Sequence, residues 1–169
     1  MSNATHTGGQ AQPAPHPAGF DIEIAGTDLQ FRKAKLTDPV PTGRQVIEAA
    51  GFKQVEEYIV LQWLPGNMLE ELRLDETCNL RERGVERFIV AKSDRTFRFE
   101  IDSQRQEWPA PTVTREVLLA LAGQDPALFS VWQEFKDKKD VEIVAGKPAE
   151  LTPAGTERFY TVTTKTTEG

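Results

Sequence analysis

A short peptide written twice sets the frame for this chain. GVERFIV at 84–90 returns as GTERFYT at 155–161, an offset of 71 residues (Arg158 minus Arg87). PVPT at 39–42 returns as PAPT at 109–112, and a helix-like stretch ending at Ala50-Gly51 returns as one ending at Ala122-Gly123. FDIEI at 20–24 returns as FRFEI at 97–101. Four landmarks recur in one order with small changes in spacing, which is the mark of a duplicated unit. The 169 residues are therefore expected to form a leader (1–19), two homologous modules (20–93 and 94–163) and a C-terminal tail (164–169). A module of this size buries only about 60% of its unfolded surface, against about 70% for one domain of the full length. Between the modules runs FIVAKSDRTFRF (88–99), with hardly any linker and no glycine pair. So short a join favours a fixed mutual orientation that buries further surface.

Each module reads alike. FDIEI and FRFEI alternate apolar and polar residues, as a strand with one buried face does. Second strands are expected near Leu29–Arg32 and Arg105–Trp108. The Pro-x-Pro-Thr segments then approach a helix in extended form, with Thr42 or Thr112 as its N-cap. Gln45, three residues past Thr42, completes a capping box. Val46, Ile47 and Ala50 form one apolar helix face, mirrored by Leu118, Leu119 and Ala122, and Gly51 and Gly123 end the helices in left-handed conformation. YIVLQWL pairs with MLEELRL across a Pro-Gly-Asn turn, and SVWQEF with VEIV across 137–140. The repeated Glu-Arg-Phe opens the last strand. The order β-β-α-β-β-β describes an α+β module.

Composition removes most chemistries. Both histidines, His6 and His16, lie in the leader, so residues 20–169 offer no histidine to a nucleophilic relay or to a zinc site. Cys78 is the single cysteine, which excludes an intrachain disulfide and fits a reducing cytoplasm. No phosphate-binding glycine loop is present. A formal charge of −6 argues against nucleic acid, and no apolar run approaches the ~18 residues of a membrane span. The N-terminus has neither the basic start nor the apolar stretch of a secretory signal. Residues 1–19 are poor in large apolar groups and are expected to be disordered, with Met1-Ser2-Asn3-Ala4 resembling a cloning remnant. The chain is read as a cytoplasmic protein, not an enzyme, and without a cofactor of its own.

The stretches PTGRQVIEAAG (41–51) and LEELRLDETCNLRERGVERFIV (69–90), with the second GTERF, resemble the bacterial multi-ubiquitin family. The resemblance covers about 20–163. It implies two tandem ubiquitin-like β-grasp domains, each with its last strand parallel to its first. Members are encoded beside ubiquitin-activating-like, ubiquitin-conjugating-like and JAB-type metallopeptidase-like genes. The implied partners are therefore an ATP-using activating enzyme, a conjugating enzyme, a JAB-type deconjugating peptidase and target proteins.

By the same resemblance, Gly169 is the acyl donor, and Lys165, Thr166, Thr167 and Glu168 thread the partner's channel. Glycine suits that task because, lacking a Cβ, it follows a narrow channel and exposes its carbonyl. Ubiquitin ends in Gly-Gly, whereas Glu168 precedes the glycine here, which implies a dedicated activating enzyme with a basic or roomy channel. A self-assembling, unconjugated β-grasp scaffold and a sulfur carrier ending in a thiocarboxylate are the competing readings. The segment upstream of Phe20 could serve self-association by adding to a neighbour's sheet edge. Arg87 and Arg158 are expected to answer nearby acids. Trp63, Trp108 and Trp132 are expected to pack in core or at edges, and Cys78 has no neighbour to activate it.

Overall fold

The structure, a computed structural model, describes residues 19–82, 84–153 and 155–164. The expected leader disorder and cloning remnant, and tail residues 165–169, lie outside the described residues. In the first half, β1 (Phe20–Ala25), β2 (Arg32–Leu36), α1 (Gly43–Ala49), β3 (Tyr58–Leu64), β4 (Met68–Leu72) and β5 (Glu86–Lys92) follow in order. They form a five-stranded sheet ordered β2-β1-β5-β3-β4. The second half holds β6 (Phe97–Ile101), β7 (Gln104–Trp108), β8 (Thr112–Val113), α2 (Arg115–Ala122), β9 (Phe129–Glu134), β10 (Val141–Glu142), β11 (Ala149–Glu150) and β12 (Glu157–Thr163). Its sheet is ordered β10-β9-β12-β6-β7, and β8 pairs separately with β11. In both sheets the last strand lies parallel beside the first, β5 on β1 and β12 on β6. This is the β-grasp arrangement twice over.

Local chemistry explains the helix ends. Thr42 accepts from the Gln45 N–H while the Gln45 side chain accepts from the Thr42 N–H at 2.8 Å, so the capping box forms. Thr42→Ala is expected to cost about 1 kcal/mol, read as a lowered urea midpoint with an unchanged slope. Gly51 and Gly123 take positive φ, 96° and 68°, as a left-handed helix stop requires. Two expectations are corrected. The second strand of the first module begins at Arg32 rather than Leu29, because Leu29 sits at φ 58° and Asp28 Oδ1 accepts from the Gln30 N–H at 3.0 Å. That turn uses the residues assigned to the strand, and pairing resumes at Ile24 with Arg32. In the second module Thr114, not Thr112, caps the helix, accepting from the Val117 N–H at 3.2 Å. Thr112 is in β8, opposite Glu150.

The helices are buried differently. α1 buries Gly43, Val46 and Ile47, a stripe facing a core of Ile22, Ile24, Val60, Leu72, Phe88 and Val90. α2 buries Val117, Leu118, Leu119 and Leu121. At 100° per residue, three consecutive buried positions sweep about 200°, more than one sheet face can cover. The remainder is covered by the first module: Ile59, Leu61, Trp63, Leu69 and Ile89 share one apolar cluster with α2, Phe99, Val131 and Phe159. The two modules thus have a joint core, as the short join implied.

Polar contacts fix the seam. Gln106, 1% exposed, accepts from the Leu69 N–H at 2.8 Å and donates to the Asn67 carbonyl at 2.7 Å. Glu107 Oε2 accepts from the Glu71 N–H at 2.7 Å. β4 is an edge strand, and its outward donors meet side chains of β7 instead of standing open to another chain.

Candidate functional site: the open face and exit of the second sheet

β12 runs between β9 and β6. It pairs with β9 to Thr163 opposite Phe129, and the Thr164 N–H still donates to the Leu128 carbonyl at 2.8 Å. On the other side the β6–β7 turn holds it. The Asp102 N–H donates to the Phe159 carbonyl at 3.0 Å, and the Asp102 carboxylate accepts from the Thr161 N–H and hydroxyl, each at 2.8 Å. The chain is therefore fixed as far as Thr164, the last described residue. β5, the repeat of β12, is followed at once by β6, with only residues 93–96 between them.

The sheet faces beside these two strands differ, and the 71-residue offset shows how. On the outer face of the first sheet, Ile59, Leu61 and Ile89 are buried against the second module. Their counterparts are Ser130, Trp132 and Tyr160, which no described residue of the first module covers in this way. Trp132 and Tyr160 sit opposite each other across β9 and β12, both half-buried, with Val162 exposed beside them. The Trp132 Nε1–H donates to Ser130 Oγ at 3.0 Å, and the Tyr160 hydroxyl donates to Asp140 Oδ2 at 2.7 Å. That bond, chiefly, raises the Tyr160 pKa above the ordinary phenol value. An amphipathic aromatic pair of this kind is a surface suited to protein contact, because such rings bury large area while their polar ends keep partners. Tyr160, Asp102 and the face itself were not singled out from the sequence; aligning the repeats residue by residue would have exposed the pair.

The other sequence candidates have structural work. Arg87 lies 3.6 Å from Glu23, with its guanidinium 4.0 Å from the Phe31 ring centre and 4.7 Å from that of Trp63. Arg158 lies 3.5 Å from Glu100. Trp63 and Trp108 are core residues. Cys78 is buried, and burial together with the nearby Glu86 carboxylate pushes its thiol up to about 11 from 9.0. The folded protein thus holds this proton more tightly than the unfolded chain. That stability is fully present below pH 9 and is lost as pH rises towards 11. Cys78→Ala is expected to flatten the fall in urea stability over that window, and native Cys78 to resist thiol reagents at pH 8. Lys165, Thr166, Thr167, Glu168 and Gly169 lie outside the described residues. Among the described residues no group of three or more His, Cys, Asp or Glu could hold a metal ion, and no helix is long and apolar enough to cross a membrane.

Two parallel-ended, helix-bearing sheets in tandem define a double ubiquitin-like β-grasp protein. The multiubiquitin family pattern matches residues 26–93 and again 97–164, and the chain belongs to that family. No curated protein matches it.

Proposed function

We propose that the chain is a protein modifier of the cytoplasm, conjugated through the carboxylate of Gly169. In this reading a Gly169 carboxylate oxygen attacks the α-phosphorus of ATP and pyrophosphate leaves. A cysteine thiolate of the activating enzyme then displaces AMP to give a thioester. A conjugating enzyme passes the acyl group to a target, and a JAB-type peptidase removes it. Lys165, Thr166, Thr167 and Glu168 are the segment that enters the activating enzyme. The chain itself supplies no catalytic group. The observation that carries the reading is the unequal setting of the repeated last strands: β5 runs straight into β6, whereas β12 is held as far as Thr164, the last described residue, beside the half-buried Trp132 and Tyr160. One molecule then has one donor end, and the first module adds recognition surface rather than a second reactive tail.

The test is ATP–pyrophosphate exchange with an activating-type enzyme from the same genome. Full-length protein is expected to stimulate exchange, and the Gly169-deleted protein to fall to background. Equal stimulation by both, or by neither, would remove Gly169 from this role.

A further inference from the structure

The offset of 71 also pairs two grooves. In the second module a groove of 310 Å³ is lined by Gln133, Val141, Ile143, Lys147, Pro153 and neighbours. The equivalent groove of the first module, 270 Å³, is lined by Gln62, Leu72, Cys78 and Asn79 together with Glu70, Glu71, Glu76, Glu82 and Glu86. Glu70, Glu76 and Glu82 thus stand where the second module has Val141, Lys147 and Pro153. Both modules build the same sheet, so the fold does not require carboxylates at these places. The described lining of the first groove holds five of them and no lysine or arginine.

One member of this group is unlike a solvated acidic surface. Glu86 is 4% exposed. Gln62 Nε2 donates to its Oε2 at 3.2 Å, while its Oε1, out of reach of water, has no hydrogen-bond donor. Buried carboxylate oxygens are ordinarily met by donors, because an unmet one is costly. The Gln–Glu pair recurs in the second module, where Gln133 Nε2 donates to Glu157 Oε2 at 2.7 Å, but there the carboxylate is only half-buried and lies apart from such an acidic lining.

The carboxylates are also spread: no three of them among the described residues approach closely enough to hold a metal ion. A spread set of acceptors around one buried acceptor suits a larger cation with several donors in a plane, which is the guanidinium group. We propose that this groove binds an arginine side chain presented by a segment of a partner protein, with Glu70, Glu76 and Glu82 attracting it at the rim and the Glu86 side chain turning to bring its unmet Oε1 to the guanidinium at the floor. The proposal stands independently of conjugation at Gly169.

The experiment uses the full-length protein and a fluorescein-labelled nonapeptide of glycine and serine carrying three arginines, followed by fluorescence anisotropy at low ionic strength. Saturable binding is expected. It should weaken about tenfold or more in Glu86→Gln and in the Glu70→Gln/Glu82→Gln double variant, since losing a charge-assisted contact is worth at least that much. The peptide with citrulline in place of arginine should not bind. Glu142→Gln/Glu150→Gln, which removes two charges from the second groove, should leave binding within about twofold, as distant exposed charges contribute little. The rim variant carries the test if Glu86→Gln loses the fold by its melting curve, because Glu70 and Glu82 are exposed. Absence of saturable binding, equal binding of the citrulline peptide, or equal weakening by the second-groove variant would overturn the proposal. So would Glu86-dependent binding of calcium ions in place of the peptide.

Discussion

Gln106→Ala is expected to lower the melting temperature of the full chain by about 6–12 °C, the larger share of any single-residue effect at the seam. The amide bridges the Leu69 N–H and the Asn67 carbonyl from a position 1% exposed. Truncation leaves the buried Leu69 N–H unmet, at about 1–3 kcal/mol, and removes the part-buried bond to the Asn67 carbonyl, at about 0.5–1.5 kcal/mol. Taken as about 3 kcal/mol together, at about 2–4 °C per kcal/mol for a chain of this size, that gives the range stated. Gln104→Ala is the control. Its amide also crosses the seam, to the Gly66 carbonyl at 3.0 Å, but in an exposed setting, and a shift below about 2 °C is expected because water replaces the bond. Thermal unfolding followed by circular dichroism reads both. Equal shifts would mean that Gln106 does not hold the modules together.

Gly43→Ala should cost about 2–4 kcal/mol, read as a lowered urea midpoint. A Cβ at Gly43 would fall against the Arg73 carbonyl and 2.7 Å from the Leu72 carbonyl oxygen, both backbone. Overpacking of this kind costs about 1–3 kcal/mol and sometimes more when no side chain can yield. It also disturbs the donors that cover the start of α1, since the Gly43 and Arg44 N–H groups donate to the Glu76 and Leu74 carbonyls at 3.0 and 3.1 Å. Gly51→Ala offers the contrast. Nothing lies within 4 Å of its Cβ position, and only the positive φ resists, for about 1 kcal/mol. If the two variants lose equal stability, close approach of the 72–76 backbone is not what selects glycine at 43.

How far the sequence could be read depended on whether a signal was local. Strand alternation in FDIEI and FRFEI, the Thr42–Gln45 box and the two helix-stopping glycines act within a few residues, and each is present as expected. β2 was misplaced because Leu29 adopts a left-handed conformation that leucine seldom takes, so nothing in its identity announced the turn. The covered face of the first sheet had a signal of a subtler kind. YIVLQWL is nearly continuous in apolar residues, as a strand buried on both faces is, whereas its repeat FSVWQE puts polar Ser130 and Glu134 where the first strand has Ile59 and Trp63. That difference separates the face under the second module from the face carrying Trp132 and Tyr160. Gln106 had no signal at all, since QRQEW reads as a solvent-facing edge and only the tertiary seam makes it buried. As for the candidate site, the tail from Lys165 to Gly169 follows from family resemblance, while the structure contributes the strand held as far as Thr164 and the aromatic pair beside it.

The central claim is that one carboxylate, at Gly169, is joined to target proteins. N-terminally tagged full-length and Gly169-deleted proteins, expressed in the native host and recovered under denaturing, reducing conditions, test it most directly by mass spectrometry. The account predicts higher-mass adducts with the full-length protein alone, each with a bond mapping to the Gly169 carboxyl. Identical, unmodified proteins from both strains under inducing conditions would contradict it.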